Sequence, residues 1–129
     1  MTLEETREFF ARDRYATVQT GITIDEVGED YSRCSFTVNE NHLAAHGHLM
    51  GGTYFTLADF AFAVATNAPG VKTFTINSSI SFLSQPKDDH IIAECHKIKD
   101  GRTTCTFETN ITDGTGRLLA VVINNGMHL

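Results

Sequence analysis

The run Gly51–Thr66, GGTYFTLADFAFAVAT, constrains this chain more than any other feature. It is apolar on almost every side of a helix and holds one charged residue, Asp59, the only Asp, Glu, Lys or Arg between Glu40 and Lys72. A helix of that kind must be enclosed by other elements. Taking a carboxylate out of water costs several kcal/mol unless something pairs with it, and no base near in sequence does. Asp59 is therefore the first candidate for chemistry. The plainer alternative, a carboxylate capping backbone or pointing to solvent at a helix end, fits poorly with its place in the middle of the run.

Around this helix the chain reads as strands. Thr2-Leu-Glu-Glu5 has capping-box spacing and opens an amphipathic helix to about residue 14. Residues 16–39 read as a hairpin turning at Gly28-Glu-Asp30, and residues 40–50 as a loop. Asn67-Ala-Pro-Gly70 is a turn signal that ends the central helix. Four strand-like runs follow, residues 71–84, 90–99, 103–112 and 117–127, joined by Asp-Gly turns at Lys99-Asp-Gly-Arg102 and Thr112-Asp-Gly-Thr115. The predicted fold class is α+β: six antiparallel strands curled around one long helix, with an additional N-terminal helix, all in a single domain, 1–129.

A net charge of −6 argues against general nucleic-acid binding, which needs clustered cations. The acidic excess lies in the first forty residues, which makes the second half the better host for an anionic ligand. Cys34, Cys95 and Cys105 form neither a disulfide framework nor a zinc spacing and read as packed, reduced thiols. With no leader pattern and no run long enough to span a bilayer, the expected location is cytoplasmic.

At 100° per residue, Tyr54, Leu57, Ala58, Ala61, Val64 and Ala65 gather on one side of the helix. Thr56, Asp59, Ala63 and Thr66 form the opposite stripe, flanked by Phe55 and Phe62. Gly51 and Gly52 open the helix, where unpaired N–H groups and the positive dipole end collect; without side chains they admit a ligand oxygen. Alone they would read as a tight turn. The loop histidines His42, His46 and His48 leave a metal reading open at His46-Gly-His48, although the acidic ligand of such a pattern is absent. His90, His96 and His128 read as surface or strand residues. Phosphate-loop and nucleophile-elbow motifs are missing.

The segment His46–Gly70, with its Gly-Gly-x-x-x-x-Leu-Ala-Asp-x-Ala core, followed by Ser79-Ile-Ser-Phe-Leu83 and Lys99-Asp-Gly-Arg102, resembles the PaaI-type hotdog-fold acyl-CoA thioesterases. The resemblance covers nearly the whole chain. It implies dimers joined sheet edge to sheet edge, dimers of dimers as a homotetramer, and acyl-CoA sites between subunits, coenzyme A being part of the substrate and no cofactor being needed. By the same resemblance the Gly51 N–H polarises the thioester carbonyl. Asp59 of the other subunit acts as base or nucleophile, and the Thr75 hydroxyl places the attacking water. Gly52, His48, Met50, Tyr54, Phe55 and Phe62 are the expected substrate contacts, with Lys87, Lys97, Lys99 and Arg102 the cations available to the coenzyme phosphates. No metal and no nucleic-acid or membrane partner is expected. The family's usual Asn and His are replaced by Ala44 and Met50, so an acyl-CoA-binding protein with weak hydrolysis is the alternative reading.

Overall fold

The computed structural model describes residues 1–67 and 72–129. Helix α1, Leu3–Phe10, starts on the expected capping box: the Glu5 N–H donates to Thr2 Oγ1 at 3.1 Å and the Thr2 N–H to Glu5 Oε1 at 3.0 Å. It stops four residues earlier than the sequence suggests, because the chain turns to seat Phe10 edge-on against Phe60, ring centroids 5.8 Å apart. Tyr15–Gln19 then form a short π-helical turn rather than the lead into a strand.

Strands β1 (Thr23–Gly28) and β2 (Tyr31–Thr37) make the predicted hairpin, and Asp30 supplies the positive φ of 53° that its turn needs. Helix α2 runs Gly51–Asn67. Strands β3 (Thr73–Phe82), β4 (His90–Asp100), β5 (Thr104–Asp113) and β6 (Leu118–His128) follow. The turn read at Asn67–Gly70 lies, beyond Asn67, outside the described residues.

All six strands form one antiparallel sheet in the order β1-β2-β4-β5-β6-β3, which leaves β1 and β3 as its edges. The sheet curls around α2. Cys34, Phe36, Ile91, Ala93, Phe107, Ile111 and Val122 meet Leu57, Ala58, Ala61, Val64 and Ala65 in the core. Each large side chain so enclosed contributes about 1.5–3 kcal/mol. Ser32 Oγ donates to the Ala61 carbonyl at 2.6 Å, pinning helix to sheet. Beneath β3, the buried Asn124 accepts from Thr109 Oγ1 at 2.8 Å and donates to Ser78 Oγ at 3.1 Å. Gly126 is the point of closest approach: a Cβ there would lie 2.8 Å from both Phe62 Cζ and Thr73 Cγ2.

The two ends of α2 correct the helical-wheel reading. Phe62 does not flank an open stripe but is buried against Phe107, centroids 5.5 Å apart. Thr66 is buried as well, its hydroxyl donating to the Phe62 carbonyl at 2.8 Å. The stripe that the sheet leaves uncovered consists of Gly52, Phe55, Thr56, Asp59, Ala63 and Asn67. Actual pairing on both flanks, not the wheel alone, decides which border positions are covered.

Candidate active site

Asp59 sits midway along that uncovered stripe and is half-buried, so its own chain does not remove it from water as the sequence alone suggests. Strand β3 runs beside it, and Thr75 Oγ1 donates to Asp59 Oδ1 at 2.9 Å. A β-bulge makes this contact. The β3–β6 register shifts between Thr75 and Asn77, leaving Ile76 as the extra residue. Side chains alternate along a strand, so without the extra residue Thr73 and Thr75 would face opposite to Ser78 and Phe82. With it, both sets face α2.

Two further groups surround Asp59. Asp13, in the turn after α1, has its pKa raised by burial first and by the Asp59 charge second, so it belongs to the same electrostatic neighbourhood. Phe55 on the helix stripe is 40% exposed, and Phe74 and Ile76, either side of Thr75 on the edge strand, are 62% and 51% exposed, so the free edge carries apolar groups.

The start of α2 forms the second part of the site. Gly51 and Gly52 occupy the first turn, where backbone N–H groups have no intrahelical partner. Gly51 lies under Phe82, whose Cζ would be 3.1 Å from an added Cβ, whereas Gly52 faces open space. A cavity of about 400 Å³ opens beside Gly51, lined by His48, Tyr54, Phe82, Leu83, Ser84 and Gln85. Tyr54 is 3% exposed, its ring edge-on to Phe82, and its hydroxyl has no hydrogen-bond partner among the described residues. Burial, and secondarily the Asp113 charge, push this phenol above its ordinary pKa.

The structure gathers some of the predicted residues and separates others. Gly51, His48 and Tyr54 line one cavity; Asp59 and Thr75 are hydrogen-bonded; Phe55 lies on the same stripe as Asp59. Met50 is 56% exposed at the helix start, and Ala44 contributes a backbone N–H to the His48 carbonyl at 2.7 Å. Lys87 shares a groove of about 370 Å³ with His48, Leu49 and Gln85, adjoining the Gly51 cavity. Lys99 and Arg102 do not join it. Lys99 is the next-to-last residue of β4, His90–Asp100, and Arg102 follows its end, so both stand at the far end of a strand roughly 33 Å long at 3.3 Å per residue. Lys97 is engaged by Asp30 at 2.9 Å.

The histidines divide in the same way. His42 is buried, its Nδ1 accepting from the Asn39 N–H at 3.0 Å and its Nε2 donating to the Thr20 carbonyl at 2.9 Å, and it serves as a structural tie. His46 and His48 lie parallel with centroids 6.3 Å apart, and no third donor converges on them among the described residues. Asp13 and Phe82 escaped sequence reasoning: one is separated from α2 in the chain, and the other belongs to a strand whose register is set by a bulge.

These features define a class: a hotdog-fold protein that carries a helix-borne carboxylate and an exposed glycine amide turn on its open face. The Escherichia coli acyl-coenzyme A thioesterase PaaI is 28% identical over 102 residues, covering 78% of this chain and 73% of that protein. Its structure superposes with a TM-score of 0.86 at 23% identity, covering 99% of this chain and 96% of that one. A Streptococcus pneumoniae hypothetical thioesterase solved with coenzyme A gives 0.85 at 22% identity, covering 93% and 96%. An Archaeoglobus fulgidus relative is 30% identical over 97 residues, 74% of this chain but 63% of that protein's length. Residues 46–120 match the thioesterase superfamily. The chain belongs to that superfamily.

Proposed function

We propose that this protein is an acyl-CoA thioesterase, hydrolysing an acyl- or arylacyl-CoA to the free acid and coenzyme A in a site shared by two copies of the chain. The observation that carries the reading is the Thr75–Asp59 hydrogen bond on an open helix face whose first turn is a bare glycine amide. The thioester oxygen accepts from the Gly51 N–H. Asp59 takes a proton from water, which adds to the carbonyl carbon, and the negative charge gathers on the oxygen held by the amide. Collapse expels the coenzyme thiolate, which regains its proton from Asp59. Thr75 occupies Oδ1 and leaves Oδ2 to accept from the attacking water. Asp59 as nucleophile, through a mixed anhydride, is the competing route; label found in the Asp59 carboxyl after single turnover in labelled water identifies it, because water adding to the aspartyl carbonyl of the anhydride leaves its oxygen there and the base route does not.

Spacing argues for two copies. Gly51 and Asp59 are eight residues apart, about 12 Å along the axis, whereas reacting groups must come within about 3.5 Å. One chain's Gly51 therefore works with another's Asp59. The free, apolar edge of β3 supports edge-to-edge pairing, with pairs assembling further into a tetramer. Lys87, beside the Gly51 cavity, is the cation we assign to a coenzyme phosphate. Three buried, unpaired thiols fit a cytoplasmic setting, and among the described residues no helix is long and apolar enough to cross a membrane.

Ala44 and Met50 support a second reading, an acyl-CoA binder with weak turnover, because neither offers a polar side chain to the water or the thioester. Free-thiol release across an acyl-CoA panel, paired with calorimetric binding of the same compounds, tests both. Turnover establishes the first, tight binding without turnover the second, and neither signal overturns the assignment.

A further inference from the structure

The far ends of β4, β5 and β6 bring three unlike donor side chains together at the opposite end of α2 from Gly51. Cys105 pairs with Asp100 across β4–β5 and with Gly126 across β5–β6, and His128 follows Gly126 by two residues on the same side of β6. One donor atom from each of Asp100, Cys105 and His128 lies within 4.8 Å of the others, the one such group of three among the described residues. We propose that Asp100, Cys105 and His128 form a binding site for a borderline divalent metal ion of the zinc type, with water as fourth ligand. The site is independent of the proposed hydrolysis.

Four observations carry it. The donors are one carboxylate oxygen, one sulfur and one imidazole nitrogen, a set that suits zinc and disfavours calcium or magnesium, which take oxygen donors. The imidazole is already oriented: His128 Nδ1 is 2.9 Å from Thr73 Oγ1, and the Thr73 N–H donates to Asn67 Oδ1 at 2.9 Å. Metal-bound histidines are held in this way through the second nitrogen. His128 Nε2 meets Asp100 Oδ1 at 2.6 Å, so the nitrogen aimed at the carboxylate is the one that would bind. Finally, a cavity of about 570 Å³ adjoins the cluster, bordered by Glu29, Asp30 and Asp100 against Arg102, with Asp30 ion-paired to Lys97 at 2.9 Å, which gives room for water and leaves a slight acidic excess.

Binding changes the electrostatic sign at Cys105. Burial first, and the Asp100 charge second, raise the thiol's pKa, which keeps the proton on sulfur while no cation is present. A divalent ion reverses that: the thiol becomes a thiolate bonded to the metal and one proton is released to solvent. With metal–ligand distances of about 2.0–2.3 Å, the Cys105 sulfur must close on the other two donors while His128 Nε2 and Asp100 Oδ1 open from 2.6 Å to admit the ion between them, which would tie three adjacent strand ends to one point.

The test uses untagged, full-length protein stripped with chelator and titrated with Co²⁺. We expect one equivalent per chain, tetrahedral visible bands, a thiolate-to-cobalt charge-transfer band, and displacement by Zn²⁺. Cys105→Ser should abolish the charge-transfer band, and Asp100→Asn, at a partly exposed position, should weaken binding at least tenfold. Cys34→Ser and the His46→Ala/His48→Ala pair should leave both unchanged. Should Cys105→Ser fail to fold, the Asp100→Asn and Cys34→Ser arms decide. Absence of the band in wild type at millimolar Co²⁺ overturns the proposal and leaves an ion pair beside a packed thiol, as does a band lost with His46 and His48.

Discussion

Thr75 Oγ1 donates to Asp59 Oδ1 at 2.9 Å, across the one side of α2 that the sheet leaves open. The bond holds one carboxylate oxygen and orients the other. If it positions the base, Thr75→Ala should lower kcat about tenfold with little change in KM, while Thr75→Ser recovers most of the rate. Steady-state thiol release checks this, and an unchanged kcat in Thr75→Ala contradicts it.

Ile76 is 51% exposed on the free edge strand. Ile76→Lys should leave the chain folded yet convert it to monomer in sedimentation, with activity falling along with the dimer. A fully active monomer would show that one chain makes a complete site.

Tyr54 carries a buried hydroxyl without a partner among the described residues. Removing it relieves a desolvation penalty, so Tyr54→Phe should keep or raise stability, by up to about 1 kcal/mol. Denaturant unfolding measures this; a loss above about 1 kcal/mol would mean that the hydroxyl is satisfied in solution.

Gly126→Ala should cost about 1–3 kcal/mol, since the new methyl meets Phe62 and Thr73 at 2.8 Å and the Phe74 carbonyl at 3.1 Å. Gly52→Ala, which meets nothing within 4 Å, is the matched control in the same unfolding experiment.

Asp113 accepts from the Thr115 hydroxyl at 2.6 Å and from the N–H groups of Lys87, Thr115 and Arg117 at 2.7, 2.9 and 3.1 Å. The Thr115 hydroxyl is the first cause, with the backbone donors, of a pKa held well below the carboxylate range. A lowered folded-state pKa contributes stability above the unfolded value of about 3.9 that is lost as pH falls below it. Wild type should therefore lose stability relative to Asp113→Asn below about pH 4, and the gap between them should narrow. A gap constant from pH 7 to pH 3 would contradict this.

Where local pattern coincides with tertiary environment, the sequence was readable. The apolar run around Asp59, the Gly51–Asp59 spacing, the capping box at Thr2 and the Asp-Gly turns each follow from neighbours in the chain, and the central helix and the six strands stand close to where the sequence puts them, whereas α1 ends early and Tyr15–Gln19 form a turn that no local pattern announces. Phe62 and Thr66 were misplaced because they lie at the border of the helix face, where the close approach of β6 at Gly126 decides burial. The bulge at Ile76 leaves no local signature, since it exists only in the pairing of β3 with β6. Lys87, Lys99 and Arg102 look like one basic set in the sequence, yet β4 holds them apart. The Asp100–Cys105–His128 cluster has no motif spacing because its members meet through strand register.

The central claim is that Asp59 activates water against a thioester bound at Gly51. Wild type and Asp59→Asn, prepared alike, should be compared for thiol release on the best acyl-CoA and for coenzyme A affinity by calorimetry. The account predicts a fall in kcat of about 10²–10⁴ with affinity nearly unchanged; equal turnover by the two proteins would contradict it.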